Sequence, residues 1–191
     1  MRTKFLMMSG TPGTGKTSTS TLLARAMCWQ HIDLGKIALR NGLTRGYDRR
    51  RGIPIVDLRG IRNEVLHIAR NSGSRTIILD GCFSHLVPLK RDVLAVVILR
   101  CHPDELACRL RGKGWGEVKI RENVQAEILG VCKSEALQLH RRIREIDTTG
   151  GDASRVSMLV AALYKGGFPR IAGIDWLTRL ERERGMLRWM V

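Results

Sequence analysis

The feature that most constrains this chain is the glycine-rich stretch at residues 10–17, Gly-Thr-Pro-Gly-Thr-Gly-Lys-Thr. It fits the phosphate-binding pattern of two glycines separated by four residues and followed by lysine and a hydroxyl residue. The glycines let the backbone approach a polyphosphate, so that successive N–H groups point at its oxygens. Lys16 adds a positive charge for the terminal phosphates. Thr17 offers a hydroxyl to Mg²⁺, with Ser18 beside it as a further donor.

The flanking segments predict a strand before this stretch and a helix after it. Residues 4–8 are a short apolar run, as expected for a buried first strand. After the loop, Leu22, Leu23, Ala26 and Met27 recur at helical spacing. This context favours a phosphate-binding loop over the alternative, a glycine-rich turn without a ligand.

Strand and helix patterns alternate along most of the chain. Further strands are predicted at 53–57, 75–80, 93–100 and 143–147, and helices at 58–70, 103–110, 124–139 and 152–164. This alternation predicts a three-layer α/β/α fold with about five parallel strands and right-handed crossovers. The stretch from 31 to 52 has no sustained period and predicts a mobile insertion. At 191 residues we expect one domain, 1–165, with a C-terminal extension at 166–191.

Two further stretches are candidates for the site. Asp80 ends a predicted strand, where open α/β sheets place ligands, and can either hold Mg²⁺ or merely cap the next helix. Cys82 and His85 follow it, either supporting the site or serving as ordinary loop residues. Residues 112–116 place Lys113 among glycines, which favours either a lid that closes over phosphates or a plain turn between helices.

The chain is strongly basic, with 33 Lys and Arg against 18 Asp and Glu, a net charge of +15. Residues 1–100 hold 17 basic and 6 acidic residues, so they carry +11 of that excess. Such a field attracts polyanions, which include nucleotides and RNA. A solvated basic surface without a dedicated partner is the alternative.

Cysteine usage and hydropathy bear on the compartment. The five cysteines form no CxxC pair, and their odd number argues against a full disulfide framework. No apolar run approaches the roughly twenty residues that span a bilayer. We therefore expect a cytoplasmic protein that does not contact a membrane and is a monomer.

Several stretches together resemble the adenylate kinase isoenzyme 6 family, small archaeal-type and nuclear nucleoside-monophosphate kinases linked to maturation of small-subunit ribosomal RNA. The resemblance extends over residues 3–165, and residues 174–177 are similar to an extension of archaeal members. It departs at Cys82, where the family often has histidine, and at Lys113, where its lid usually has arginine. The matching stretches are 10–17, 46–48, 54–57, 99–100, 121–128 and 146–150.

The resemblance implies a P-loop NTPase fold with a monophosphate-binding flap at 33–56 and a short lid near 112–122. It implies catalytic roles for Lys16, Asp80 and Lys113, and Mg²⁺ binding by Thr17 and Asp80, with ATP as co-substrate. The implied ATP contacts are Gly10, Gly13, Thr14, Gly15, Lys16, Thr17, Ser18 and Lys113. The implied monophosphate contacts are Asp33, Gly35, Tyr47, Asp48, Arg51 and Val56, and the implied base contacts are Thr149 and Gly150.

Two functions of different classes remain open from the sequence. The first is an adenylate kinase that transfers the γ-phosphoryl group of ATP to AMP or a related monophosphate with Mg²⁺. The second is an ATPase switch in ribosome assembly that binds a ribosomal protein or pre-rRNA and releases it on hydrolysis. A small-subunit ribosomal protein, and rRNA, are accordingly the expected partners besides the nucleotides.

Overall fold

The computed structural model describes residues 3–48, 53–89, 92–168, 173–183 and 189, and only the backbone of Asp48, Ile53 and Pro54. The strands are β1 Lys4–Ser9, β2 Gln30–Asp33, β3 Thr44–Asp48, β4 Ile53–Val56, β5 Thr76–Asp80, β6 Val93–Arg100 and β7 Ile143–Asp147. The helices are α1 Lys16–Met27, α2 Leu34–Arg40, α3 Leu58–Asn71, α4 Pro103–Arg111, α5 Glu117–Ile128, α6 Val131–Leu139, α7 Ala153–Lys165 and α8 Trp176–Arg182.

Five strands form one parallel sheet in the order β2-β5-β1-β6-β7. Successive side chains of β1 point to opposite faces of the sheet. Phe5 and Met7 pack with α2 and α3 on one face, and Leu6 and Met8 pack with α1 and α7 on the other. The predicted three-layer α/β/α fold is thus confirmed.

The identity of one strand in the sheet was predicted wrongly. Residues 31–33 were placed in the irregular insertion, but together with Gln30 they form β2 and pair with β5 at the edge of the sheet. Residues 53–56 were counted among the five strands, but they pair antiparallel with β3 in a separate hairpin. β2 escaped detection because Ile32 is its sole fully buried residue, so the segment has no apolar run.

The long helix predicted at 124–139 is two helices. Gly130 adopts φ 63°, a left-handed conformation that ends α5 and starts α6 in a new direction. α4 and α5 pack against the C-terminal segment through Leu106, Ile120 and Leu180, among others. Within the described ranges, no helix is long and apolar enough to cross a membrane.

Candidate functional site

The loop between β1 and α1 has the backbone shape that its glycines permit. Gly10, Gly13 and Gly15 all have positive φ, of 130°, 95° and 91°. A Cβ atom on Gly10 would lie 2.3 Å from the carbonyl oxygen of Leu99, so a larger residue would displace the loop from β6. Gly15 ends the loop at the N-terminus of α1, where the first N–H groups are free to bind an anion.

Lys16 lies partly buried at the base of this loop. Its Nζ donates to the carbonyl oxygen of Thr11 at 3.0 Å, and the Thr14 hydroxyl donates to the same oxygen at 2.9 Å. Burial, the largest effect, lowers the pKa of the Lys16 ammonium, while Cys82 and Asp80 oppose that shift. Thr17 and Ser18 follow at the start of α1, both exposed.

Asp80 lies beside the loop, at the carboxyl end of β5, and is only 2% exposed. The register aligns it with Met8 of β1 on one side and Asp33 of β2 on the other. His31 Nε2 lies 3.3 Å from Asp80 Oδ2. Sequence reasoning missed this histidine because it lies in the segment predicted to be irregular.

Mg²⁺ fits the donors found here only as a metal–nucleotide complex. The Thr17 hydroxyl and the Asp80 carboxylate are oxygen ligands of the kind that Mg²⁺ prefers. In the described part of the chain, no group of three or more His, Cys, Asp and Glu side chains could hold a metal ion. Phosphate oxygens and water would therefore supply the remaining ligands, as is common for this ion.

α4 connects the phosphate loop to the turn that follows β7. Arg109 donates to the Thr148 carbonyl oxygen at 2.7 Å and to the Gly13 carbonyl oxygen at 3.5 Å. Glu105 accepts from Arg109 at 2.5 Å and from the Gly150 N–H at 2.8 Å. The proposed base contact Gly150 is thus linked to the loop through Glu105 and Arg109. The bridging role of Arg109 was not predicted.

Thr149, the other proposed base contact, is fixed in the same turn. Its hydroxyl oxygen accepts from the His102 N–H at 2.8 Å, and its own N–H donates to Asp147 at 2.8 Å. Lys113 is exposed in the turn between α4 and α5. An exposed ion pair of Arg111 with Glu117 at 2.6 Å spans that turn.

The proposed monophosphate contacts lie in two places. Asp33 and Gly35 lie at the start of α2, where the Asp33 carboxylate accepts from the Lys36 N–H at 3.0 Å. Tyr47 and Val56 belong to the β3–β4 hairpin, and Tyr47 is exposed. Asp48 is also in β3. Arg51, with its neighbours Arg49 and Arg50, lies outside the described residues.

A buried histidine contacts Ser9, the last residue of β1 before the loop. His85 Nδ1 lies 2.7 Å from the Ser9 hydroxyl, and its Nε2 lies 3.0 Å from the carboxylate of Glu135 on α6. Burial lowers the pKa of His85, and its contact with Glu135 opposes that shift. Cys82, by contrast, is exposed, and its carbonyl oxygen accepts from Ser9 at 3.1 Å.

Comparison with known proteins places these features in a family. A family model described as "AAA domain" matches residues 6–130. A protein of Thermococcus onnurineus named "Putative adenylate kinase" is 36% identical over 179 residues, 93% of each chain. A Methanosarcina barkeri protein of the same name is 39% identical over 143 residues, covering 75% of this chain and 76% of the relative. This chain belongs to that adenylate kinase family.

Solved structures show the fold that this adenylate kinase family member shares with other kinases. The shikimate kinase of Acinetobacter baumannii, solved with shikimate, superimposes with a TM-score of 0.61 at 16% identity. The match covers 88% of this chain and 96% of that one. The shikimate kinase of Bacteroides thetaiotaomicron gives a TM-score of 0.50 at 22% identity, covering 73% and 84%.

Proposed function

We propose that this protein is a Mg²⁺-dependent adenylate kinase, which transfers the γ-phosphoryl group of ATP to AMP and yields two ADP. The single observation that carries this proposal is that the phosphate loop, Asp80 and Asp33 all lie at the carboxyl ends of neighbouring parallel strands. A triphosphate would bind there at the loop. The acceptor would bind beside β2 and α2, near Asp33.

Phosphoryl transfer asks for positioning and charge rather than for covalent chemistry by the protein. A phosphate oxygen of AMP forms a bond to the γ-phosphorus, and the bond from that phosphorus to the β–γ bridging oxygen breaks. Lys16, beside the Thr11 carbonyl oxygen, would bind the terminal phosphates, with the loop N–H groups around them. Asp80 and Thr17 would hold Mg²⁺, which when bound neutralises charge on the phosphate oxygens.

Two further elements complete this proposal. The turn at 112–116, with Lys113 exposed and Gly114 at φ 75°, would close over ATP as the lid. The β3–β4 hairpin, with Tyr47 and Val56, would serve as the flap over AMP. Closure of both would exclude water, so that AMP rather than water accepts the phosphoryl group.

The test is the stoichiometry of ATP consumption with and without AMP. We expect AMP to accelerate the loss of ATP and two ADP to appear for each AMP consumed. If no monophosphate changes the turnover, and ATP yields ADP and inorganic phosphate in equal amounts, the protein is instead the ATPase switch. AMP, CMP and dAMP assayed side by side would identify the preferred acceptor.

A second candidate function, binding of ribosomal RNA, rests on the charge. Nucleotide phosphates can occupy only a few of the 33 basic residues, and 17 of these lie in the first hundred positions. A cleft of about 780 Å³ near the start of β1, remote from the phosphate loop, is lined by three of these 17 residues, Arg62, Arg70 and Arg75. Phosphates of an RNA backbone suit such a surface.

Salt dependence tests the RNA proposal. If about five phosphates are neutralised on structured RNA, the logarithm of the affinity falls against the logarithm of salt with a slope of roughly −4. Arg70→Ala with Arg75→Ala should flatten this slope, and so should alanine at Arg49, Arg50 and Arg51. Absence of RNA binding at about 50 mM salt would contradict the proposal and leave a ribosomal protein as the partner to test.

A further inference from the structure

A buried carboxylate, that of Glu127 on α5, connects the phosphate loop to the C-terminal helix α8. Glu127 is 2% exposed. Its Oε2 accepts a hydrogen bond from the Thr11 hydroxyl at 2.6 Å, and its Oε1 accepts one from the indole N–H of Trp176 at 3.0 Å. Thr11 and Trp176 are themselves only 3% and 1% exposed. One side chain thus joins residues from opposite ends of the sequence.

The charge of this carboxylate is balanced within the core. Arg100 Nε donates to Glu127 Oε1 at 2.7 Å, and Arg100 Nη2 donates to the backbone oxygen of Glu127 at 2.7 Å. The Cys101 N–H adds a third donor to Oε1 at 3.1 Å. Burial lowers the pKa of Arg100, but Glu127 and Glu145 outweigh it and raise that pKa above its ordinary value. A buried carboxylate with donors on both oxygens has a well-defined orientation.

Thr11 is the point at which this network reaches the ATP site. The Thr11 hydroxyl is held by Glu127, while the Thr11 carbonyl oxygen holds Lys16 Nζ and the Thr14 hydroxyl. In the proposed complex, Lys16 Nζ would bind phosphate from its position beside that oxygen. The orientation of the Thr11 peptide therefore affects both the shape of the loop and the starting position of its lysine.

The segment carrying Trp176 is fixed by a second buried carboxylate, that of Glu145 on β7. Glu145 Oε2 accepts from the Ile174 N–H at 3.1 Å and pairs with Lys133 Nζ at 2.7 Å. Glu145 Oε1 pairs with Arg100, so both carboxylates share one guanidinium. The ring of Trp176 also packs edge-on against His102, with centroids 5.5 Å apart. This segment is thus built into the ion network.

We infer that Glu127 is a positioning residue for the phosphate loop, and that Trp176 of α8 strengthens ATP binding through it. This inference rests on the proposed ATP site. Without the indole N–H, Oε1 keeps only Arg100 and Cys101 as donors, and the carboxylate rotates toward them. Oε2 then moves away from the Thr11 hydroxyl, and the loop loses part of its preorganisation for phosphate.

A double-mutant cycle on ATP affinity tests the inference. Trp176→Phe keeps an aromatic ring but removes the N–H, and Thr11→Val keeps the shape but removes the hydroxyl. Binding of ATP with Mg²⁺ is measured by calorimetry for the wild type, both single variants and the double variant. We expect Trp176→Phe to raise Kd about threefold to tenfold, the loss of one hydrogen bond of ordinary strength. In the Thr11→Val background the same change should have no further effect.

Trp189→Phe is the matched control. Trp189 belongs to the same C-terminal segment and is buried, but its indole N–H donates to Asp104 at 3.1 Å. Its replacement should leave Kd for ATP unchanged. Thr11→Ser retains the hydroxyl, so Trp176→Phe should raise Kd in that background as it does in the wild type. Thr11→Ala, which also lacks the hydroxyl, replaces Thr11→Val should that variant not fold.

The outcomes separate this inference from the proposed ATP site. Factors that multiply in the double variant would overturn it, because α8 would then act on ATP without Thr11. An unchanged Kd in Trp176→Phe, or an equal loss in Trp189→Phe, would overturn it as well. A wild type that does not bind ATP would instead overturn the proposed function.

Discussion

His31 Nε2 lies 3.3 Å from the carboxylate oxygen Oδ2 of Asp80, so the edge strand β2 directly contacts the proposed metal ligand. The other ring nitrogen of His31 lies 3.5 Å from the Thr21 hydroxyl, which donates to the Thr17 carbonyl oxygen. Both proposed Mg²⁺ ligands, Asp80 and Thr17, are thus connected to one imidazole. Partners of this kind orient the carboxylates that bind metals.

We therefore predict that His31→Ala raises the Mg²⁺ concentration required for half-maximal activity severalfold, because Asp80 loses the group that orients it. Activity is titrated with Mg²⁺ at fixed nucleotide. His67→Ala is the control, since His67 lies exposed on α3 with Asn71 as its hydrogen-bond partner. An unchanged Mg²⁺ requirement in the His31 variant would show that the contact has no part in metal binding.

Lys16→Ala should abolish ATP binding while the chain remains folded. The lysine contributes the one loop side chain that carries a positive charge, and its contact with the Thr11 carbonyl holds the loop rather than the hydrophobic core. Calorimetry measures binding, and the thermal midpoint measures folding. Lys165→Ala, at the exposed end of α7, should leave both unchanged. Normal ATP affinity in the Lys16 variant would refute the assignment of the phosphate site.

Cys82→His is expected to raise ATP hydrolysis severalfold. Cys82 is exposed two residues after Asp80, and its carbonyl oxygen accepts from Ser9 directly before the loop, so an imidazole here would lie close enough to the site to orient a water molecule. Release of inorganic phosphate without AMP is the measurement. Cys108→His, at an exposed position of α4, is the control. Equal hydrolysis in wild type and Cys82→His would exclude this role for position 82.

Stability should fall in mild acid because of His85. Burial lowers the pKa of His85 in the folded state, so between pH 7 and 5 the unfolded chain binds the proton more readily. For one histidine, the free energy of unfolding therefore falls by at most about 1.4 kcal/mol for each pH unit of acidification. Denaturant unfolding at pH 7.5 and 5.5 measures the loss.

His85→Gln keeps a polar group near Ser9 and Glu135 but does not titrate, so its stability should depend less on pH over the same range. His67→Gln, at an exposed histidine, should keep the pH dependence of the wild type. If His85→Gln and the wild type lose equal stability on acidification, other groups account for the effect.

Elements with local signals could be predicted from the amino-acid sequence alone. Each of β1, β5 and β6 contains a continuous run of buried apolar residues, and the alternation of these runs with helical patterns was enough to predict a parallel sheet covered on both faces. The loop at 10–17 was equally predictable from the sequence, because its backbone shape requires glycine at positions 10, 13 and 15. Asp80 was placed correctly at the end of its strand because strand ends can be identified from where the apolar run stops.

Which strands share the sheet, and which side chains are in contact, depends on packing in three dimensions. Ile32 is the one buried residue of β2. The position of this strand beside β5 therefore depends on backbone hydrogen bonds, which produce no periodic pattern of apolar residues in the sequence. The turn at Gly130 likewise interrupts an apolar pattern that continues through it. Contacts such as that of Glu127 with Thr11 join residues 116 positions apart. Polar partners of this kind are selected by packing in three dimensions, whereas sequence periodicity reports only which face of an element is buried.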